Sequence, residues 1–240
     1  MTDASFPPLV TPPSRPMAWD RATAFVVPAS FGVMAGHGRA RDAARSGWLK
    51  PADMDRAELS APERVWIPLW RFETHVDGFH LGLTHVRTGD RTRVLPTGGF
   101  RHRDDVVLVL ARAHLAIDPS AKARIGRADL VPLDDEIAPL GERIEPDITQ
   151  HDAEEEARLR VRRAGQPQQA LVAHVEVRIA SSALVFLPVY VVRYRYAGEA
   201  TKGATHEGHA AVSARDGTLV SSHHPPLLGS LASRLGRLFG

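Results

Sequence analysis

The hydrophobic and polar positions of this chain fall into strand-like runs separated by two helical ones. Val65-Trp66-Ile67-Pro68-Leu69-Trp70-Arg71-Phe72 is dense in aromatic and branched residues, and Phe79 to Val86, Thr92 to Leu95 and Val106 to Leu110 continue in the same character. Asp77-Gly78 and Thr88-Gly89-Asp90 read as the turns between these strands. Ala24 to Pro28 predicts one more short strand. Further on, Leu171 to Ile179, Ala183 to Tyr196, Gly208 to Ala214 and Thr218 to Ser221 predict a four-stranded antiparallel meander. Its turns are placed near Ala197-Gly198-Glu199 and Asp216-Gly217.

Helical spacing shows first in Ala43, Ala44 and Trp48, which predicts a helix over Arg39 to Trp48 bracketed by Gly47 and Pro51. The second helix, Asp152 to Arg163, opens on Asp152, Glu154, Glu155 and Glu156 and closes on Arg158, Arg160, Arg162 and Arg163. That polarity complements the helix dipole, and Gly165 stops the run. Residues 119–145 read as loops with short helical pieces. Met1 to Pro16 carries five prolines and reads as an extended tail.

Two strings match in order. Val65-Trp66-Ile67-Pro68-Leu69-Trp70 and Val185-Phe186-Leu187-Pro188-Val189-Tyr190 each run apolar, aromatic, apolar, proline, apolar, aromatic. The expectation is an α+β fold of two similar helix-plus-antiparallel-sheet units, as one large domain or two small ones sharing a sheet. The boundaries are a tail over 1–20, a first unit over 21–118, a second over 119–224 and an amphipathic helix over 225–240. Because proline removes a ladder hydrogen bond, Pro68 and Pro188 are expected at edges or bulges.

These residues, with Glu145-Pro146, the 152–163 helix and Leu187-Pro188-Val189-Tyr190-Val191-Val192-Arg193-Tyr194, resemble an uncharacterised bacterial family loosely labelled primosomal-helicase-like. Members of that family commonly carry a four-cysteine zinc ribbon before this region. The resemblance spans roughly Ala22 to His224 and implies a fold without implying an activity. This chain has no cysteine, so any role tied to the ribbon does not transfer.

Absence of cysteine also removes disulfides, thiolate catalysis and cysteine-ligated zinc. With 30 basic and 28 acidic residues the net charge is +2, which gives little support for a nucleic-acid partner. No signal-peptide pattern opens the chain, and the longest apolar stretch, Ala183 to Val192, is about half the ~20 residues of a spanning helix. A cytoplasmic protein without a cofactor is the expectation.

No Gly-x-Ser-x-Gly elbow is present and Ser181-Ser182 and Ser221-Ser222 sit in turn-like contexts, so a non-enzymatic role is the expectation. Gly36-His37-Gly38-Arg39 offers loop amides ahead of a helix but lacks the lysine of phosphate-binding loops. The leading expectation is an interaction or scaffold module, a subunit of a larger assembly or a homo-oligomer. It would dock a protein partner or a membrane surface through Leu228, Leu231, Arg234, Leu235, Leu238 and Phe239 of the C-terminal helix. One alternative is single-stranded nucleic-acid binding through Arg193, Arg195 and Lys202, interleaved with Tyr194 and Tyr196. Another is a metal-dependent enzyme using His206, His209, His223 and His224. His75, His80 and His85 recur every fifth residue, a spacing that puts neighbours on opposite faces of a strand.

Overall fold

A computed structural model describes residues 17–19, 23–45, 54–88, 91–133, 142–165, 170–197 and 205–223. Among the described residues the architecture is mixed, mostly sheet, with two α-helices. In chain order the elements are β1 (Ala24–Val26), α1 (Val33–Arg45), β2 (Glu58–Leu59), β3 (Glu63–Thr88), β4 (Arg91–Leu110), β5 (Val131–Pro132), β6 (Glu142–Arg143), α2 (Gln150–Gly165), β7 (Ala170–Tyr196), β8 (His206–Ser213) and β9 (Leu219–His223). All nine strands join one sheet, with β3 and β7 side by side at its centre. Among the described residues no helix is long and apolar enough to cross a membrane.

The central strands are apolar on both faces. One face holds Trp66, Trp70, Phe72, Leu184 and Phe186 under α2, then Tyr190, Val192, Tyr194 and Tyr196 under α1. The other holds Val65, Ile67, Leu69, Val185, Leu187, Val189 and Val191 beneath Leu115, Ile117 and Ile125 of the long segment after β4. We call these the helix face and the loop face. Burial on both sides explains why the matched strings read as unbroken apolar runs.

Several sequence expectations are corrected. Asp77-Gly78 does not turn: both residues lie inside β3, which runs 26 residues without a break. Glycine suits position 78 because a Cβ there would stand 2.5 Å from the His174 carbonyl oxygen of β7. β4 likewise joins the separate Thr92–Leu95 and Val106–Leu110 runs. The first two strands of the expected meander are one 27-residue strand, β7, and the polar Ala180-Ser181-Ser182 stretch lies in it, beside an irregularity in its pairing with β3. Gly36-His37-Gly38 is not a loop but the first turns of α1, and Gly36 N already donates to Gly32 O at 2.8 Å. The sheet is not purely antiparallel, since β1 runs parallel to β7 and β6 parallel to β3.

Pro68 and Pro188 lie in the two central strands, at neither an edge nor a bulge. Ile67 faces Leu187, Trp66 faces Pro188 and Pro68 faces Phe186, so each matched string pairs with the other. Each proline carbonyl still accepts a bond, from Ala111 N at 3.0 Å and from Ala214 N at 2.8 Å. In a regular ladder the carbonyls of Ala111 and Ala214 would accept the amide that proline lacks. They accept instead from the segments leading into the helices: Ile148 N at 3.1 Å and Phe31 N at 2.8 Å. The missing donor therefore frees an acceptor that ties each helix to the sheet, which is why proline is tolerated in the middle of it.

Other bonds repeat in the same way. Val27 N donates to Phe186 O and Ile144 N to Trp66 O, both at 3.0 Å. Tyr190 Oη donates to Phe31 O at 3.1 Å and Trp70 Nε1 to Ile148 O at 2.8 Å. α1 buries Gly36, Ala40 and Ala44, while α2 buries Ala153, Ala157 and Val161 at the same spacing.

Candidate functional site: a β-arm with an uncovered apolar face

Beyond the body, β3, β4 and the first half of β7 continue as a three-stranded arm. Its register runs without a shift between β3 and β4, from Leu69↔Leu110 to Thr88↔Arg91. Phe79 faces Phe100 and His174, Leu81 faces Gly98 and Val172, and Leu83 faces Pro96. Residues directly opposite share a face, so these side chains all lie on the continuation of the loop face. In the body that face is covered; in the arm nothing among the described residues covers it.

Six apolar side chains stand out there: Phe100 is 94% exposed, Leu81 56%, Val94 and Val172 53% each, Leu83 39% and Phe79 38%. Together they present on the order of 600 Å², as large as the largest patch of an ordinary monomer. Their alternation along β3 and β4 is that of a strand with one buried side.

Between this patch and the body lies a charged belt on the same face. His75 pairs with Asp104, and His102 Nδ1 lies 2.6 Å from Asp77 Oδ1. Glu176 and Arg178 of β7 pair at 2.8 Å beside them. The hydrogen bond from His102 holds Asp77 below the ordinary carboxylate range, and the same bond raises His102 above the usual imidazole value. At the far end of the patch Arg87 is exposed. The face thus grades from a belt of paired charges through an apolar centre to a tip that carries Arg87.

The residues singled out from sequence fall elsewhere. Leu228, Leu231, Arg234, Leu235, Leu238, Phe239, Lys202 and His224 lie outside the described residues. Arg193 pairs with Glu63, and Arg195 pairs with Glu207 at 2.9 Å, so both guanidinia face carboxylates. Tyr194 and Tyr196 are buried beneath α1 and offer no stacking surface. Burial pushes the Tyr194 hydroxyl well up, and it donates to His223 O. His209 and His223 face each other across β8 and β9 with rings 6.2 Å apart, whereas His206 sits three residues away beside Tyr196. His209 Nε2 is 3.0 Å from Ser221 Oγ. Among the described residues no three His, Asp or Glu side chains gather as a metal site would need. His75 belongs to the arm's belt, His80 points to the opposite face, and His85 stands opposite Val94.

No protein-family model, curated protein or solved structure matches this chain. The arm and its chemistry therefore stand on their own geometry. The arm is concealed in the sequence because Asp77-Gly78 carries the signature of a hairpin turn within what is one strand. The signal that finds it is the odd-numbered alternation Phe79, Leu81, Leu83 continuing past that dipeptide.

Proposed function

We propose that this protein is a non-catalytic assembly module: two copies of one helix-and-hairpin unit fused in a chain, the first copy bearing an arm that docks a second molecule of the same chain. The matched hydrogen bonds around Pro68 and Pro188 support the duplication. The counterpart of the β3–β4 hairpin is β7–β8, whose strands end at Tyr196 and begin again at His206. The arm is thus an extension that the other unit folds without.

The observation that carries the docking reading is the uncovered apolar face. A second copy fits it because the face is self-complementary. In a face-to-face, antiparallel pair centred on Leu81, the Arg87 tip of one arm meets the belt of the other at Asp104, which stands opposite His75; Arg87 and Asp104 each lie about six residues from the centre. The exposed area approaches the ~800 Å² per partner of a standard interface, and two stacked arms bury their apolar sides as sheets in a sandwich do.

Sedimentation at about 100 μM tests this, a range in which even weak dimers populate. The wild type should run at twice its 26.2 kDa mass, and Leu81→Glu or Phe100→Glu should return it to monomer with unchanged circular dichroism. A monomeric wild type overturns the reading. So does a monomer that co-sediments with anionic phosphatidylserine vesicles and loses them in Leu81→Glu, which would assign the face to lipid.

A further inference from the structure

β4 and β8 hold matching places beside β3 and β7, yet their outer edges differ. β8 carries β9 on its outside, with Ala211 facing Ser221 and Ser213 N donating to Thr218 O at 2.8 Å. Among the described residues no strand pairs with the outside of β4. Ala111 N bonds inward to Pro68 O, so by alternation Val106, Leu108 and Leu110 turn their main-chain N–H and C=O groups outward. Leu108 O is met by Arg160 Nη1 of α2 at 3.0 Å. The matching residue of α1 is Ala43, which joins Leu219 of β9 in the cluster under that helix. An arginine in one unit thus reaches the edge that a strand covers in the other.

Where that strand would lie, β4 borders a cleft of about 750 Å³. Val106, Leu108, Ile125 and Val161 give it apolar walls; Arg103, Arg124, Arg160 and Arg215 line it with Asp105, Asp129 and Asp216, and Arg215 pairs with Asp129 at 2.8 Å. Arg103 pairs with Asp105 and Arg160 with Glu156, both at 2.8 Å. Arg124 differs: its guanidinium donates to the main-chain carbonyls of Ala121 and Ala123, and no carboxylate meets it among the described residues. Arg124 is therefore the cation of the cleft with charge to share.

We propose that this cleft binds an extended peptide bearing a carboxylate side chain, added as a strand to the outer edge of β4. Outward amides and carbonyls at Val106 and Leu108 supply the ladder, the apolar walls take alternate side chains, and Arg124 receives the carboxylate. Arg160 swings from Leu108 O as the strand enters. The site lies on the strand edge, apart from the arm's apolar face, and does not depend on self-association.

Fluorescence anisotropy of a labelled Val-Glu-Val-Glu-Val peptide and its Gln counterpart against the full chain tests the assignment. The acidic peptide should bind about ten-fold more tightly, a gap of ~1.4 kcal/mol, and Arg124→Gln should abolish that gap while leaving the Gln peptide unchanged. Val106→Pro removes one outward N–H without touching the β3 ladder and should weaken both peptides. A backbone N-methylated peptide makes the same test without altering the protein. No saturable binding up to about 1 mM, the level of the weakest specific complexes, overturns the proposal. Equal binding of the N-methylated and parent peptides also overturns it, as does full displacement by inorganic phosphate with Val106→Pro silent, which would mark a small-anion pocket.

Discussion

Gly36→Ala places two physical effects in opposition, and the sheet decides the sign. Gly36 lies in α1 with helical backbone, so intrinsic propensity alone predicts that alanine stabilises by about 1 kcal/mol. A Cβ at this position, however, would stand 2.1 Å from Cδ2 of the Tyr190 ring, which is fully buried and held by its bond to Phe31 O. Overpacking of this kind costs about 1–3 kcal/mol. The net expectation is destabilisation of roughly 1 kcal/mol, the middle of that range less the propensity gain. Urea unfolding measures it as a lower midpoint at constant m. The discriminating measurement is the double-mutant cycle. In a Tyr190→Leu background the obstruction is gone and Gly36→Ala should become stabilising, giving a coupling energy of about 2 kcal/mol. An unfolding midpoint that rises on Gly36→Ala in the wild-type background refutes the reasoning, because the helix would then not rest on the ring.

Two further outcomes are expected. His102 should titrate above 6.5, and Asp77→Asn should bring it back toward that value, read from imidazole proton shifts. Because its folded value is raised, the contribution of His102 is full below pH 6.5 and fades as pH rises through the folded value; that of Asp77, whose value is lowered, is full above pH 3.8 and fades as pH falls through the folded value. An unshifted His102 would deny the belt its bond. Deleting Leu227 to Gly240 should leave the unfolding midpoint within error and leave the arm-mediated dimer intact, if the C-terminal leucines serve a separate contact; a collapsed midpoint would make them core.

Much of the sheet was legible because β-branched and aromatic density marks strands wherever they pack. The errors came from residues whose local meaning is overridden by a distant partner. Asp77-Gly78 carries a turn signature, but glycine is there to let β7 approach. Gly36 disguises a helix because Tyr190 needs the room. Pro68 and Pro188 break the rule against central prolines only because Ile148 and Phe31 take the vacated acceptors. The arm's alternation could be read, but whether a face is covered depends on where residues 113–130 travel, and no local pattern encodes that. The cleft is less legible still, since its walls come from β4, α2 and two connecting segments.

The exchange of short strands has a consequence for how the molecule can be divided. β1, in the N-terminal half of the chain, hydrogen-bonds to β7 in the C-terminal half, and β6 in the C-terminal half hydrogen-bonds to β3 in the N-terminal half. Neither half owns the full complement of strands that its central strand needs. Cut between Leu133 and Glu142, the two pieces become obligate complements: each exposes a long apolar edge alone, and together they rebuild one sheet. The chain is in this sense a tethered heterodimer, and its connection sets the effective concentration at which the two halves meet.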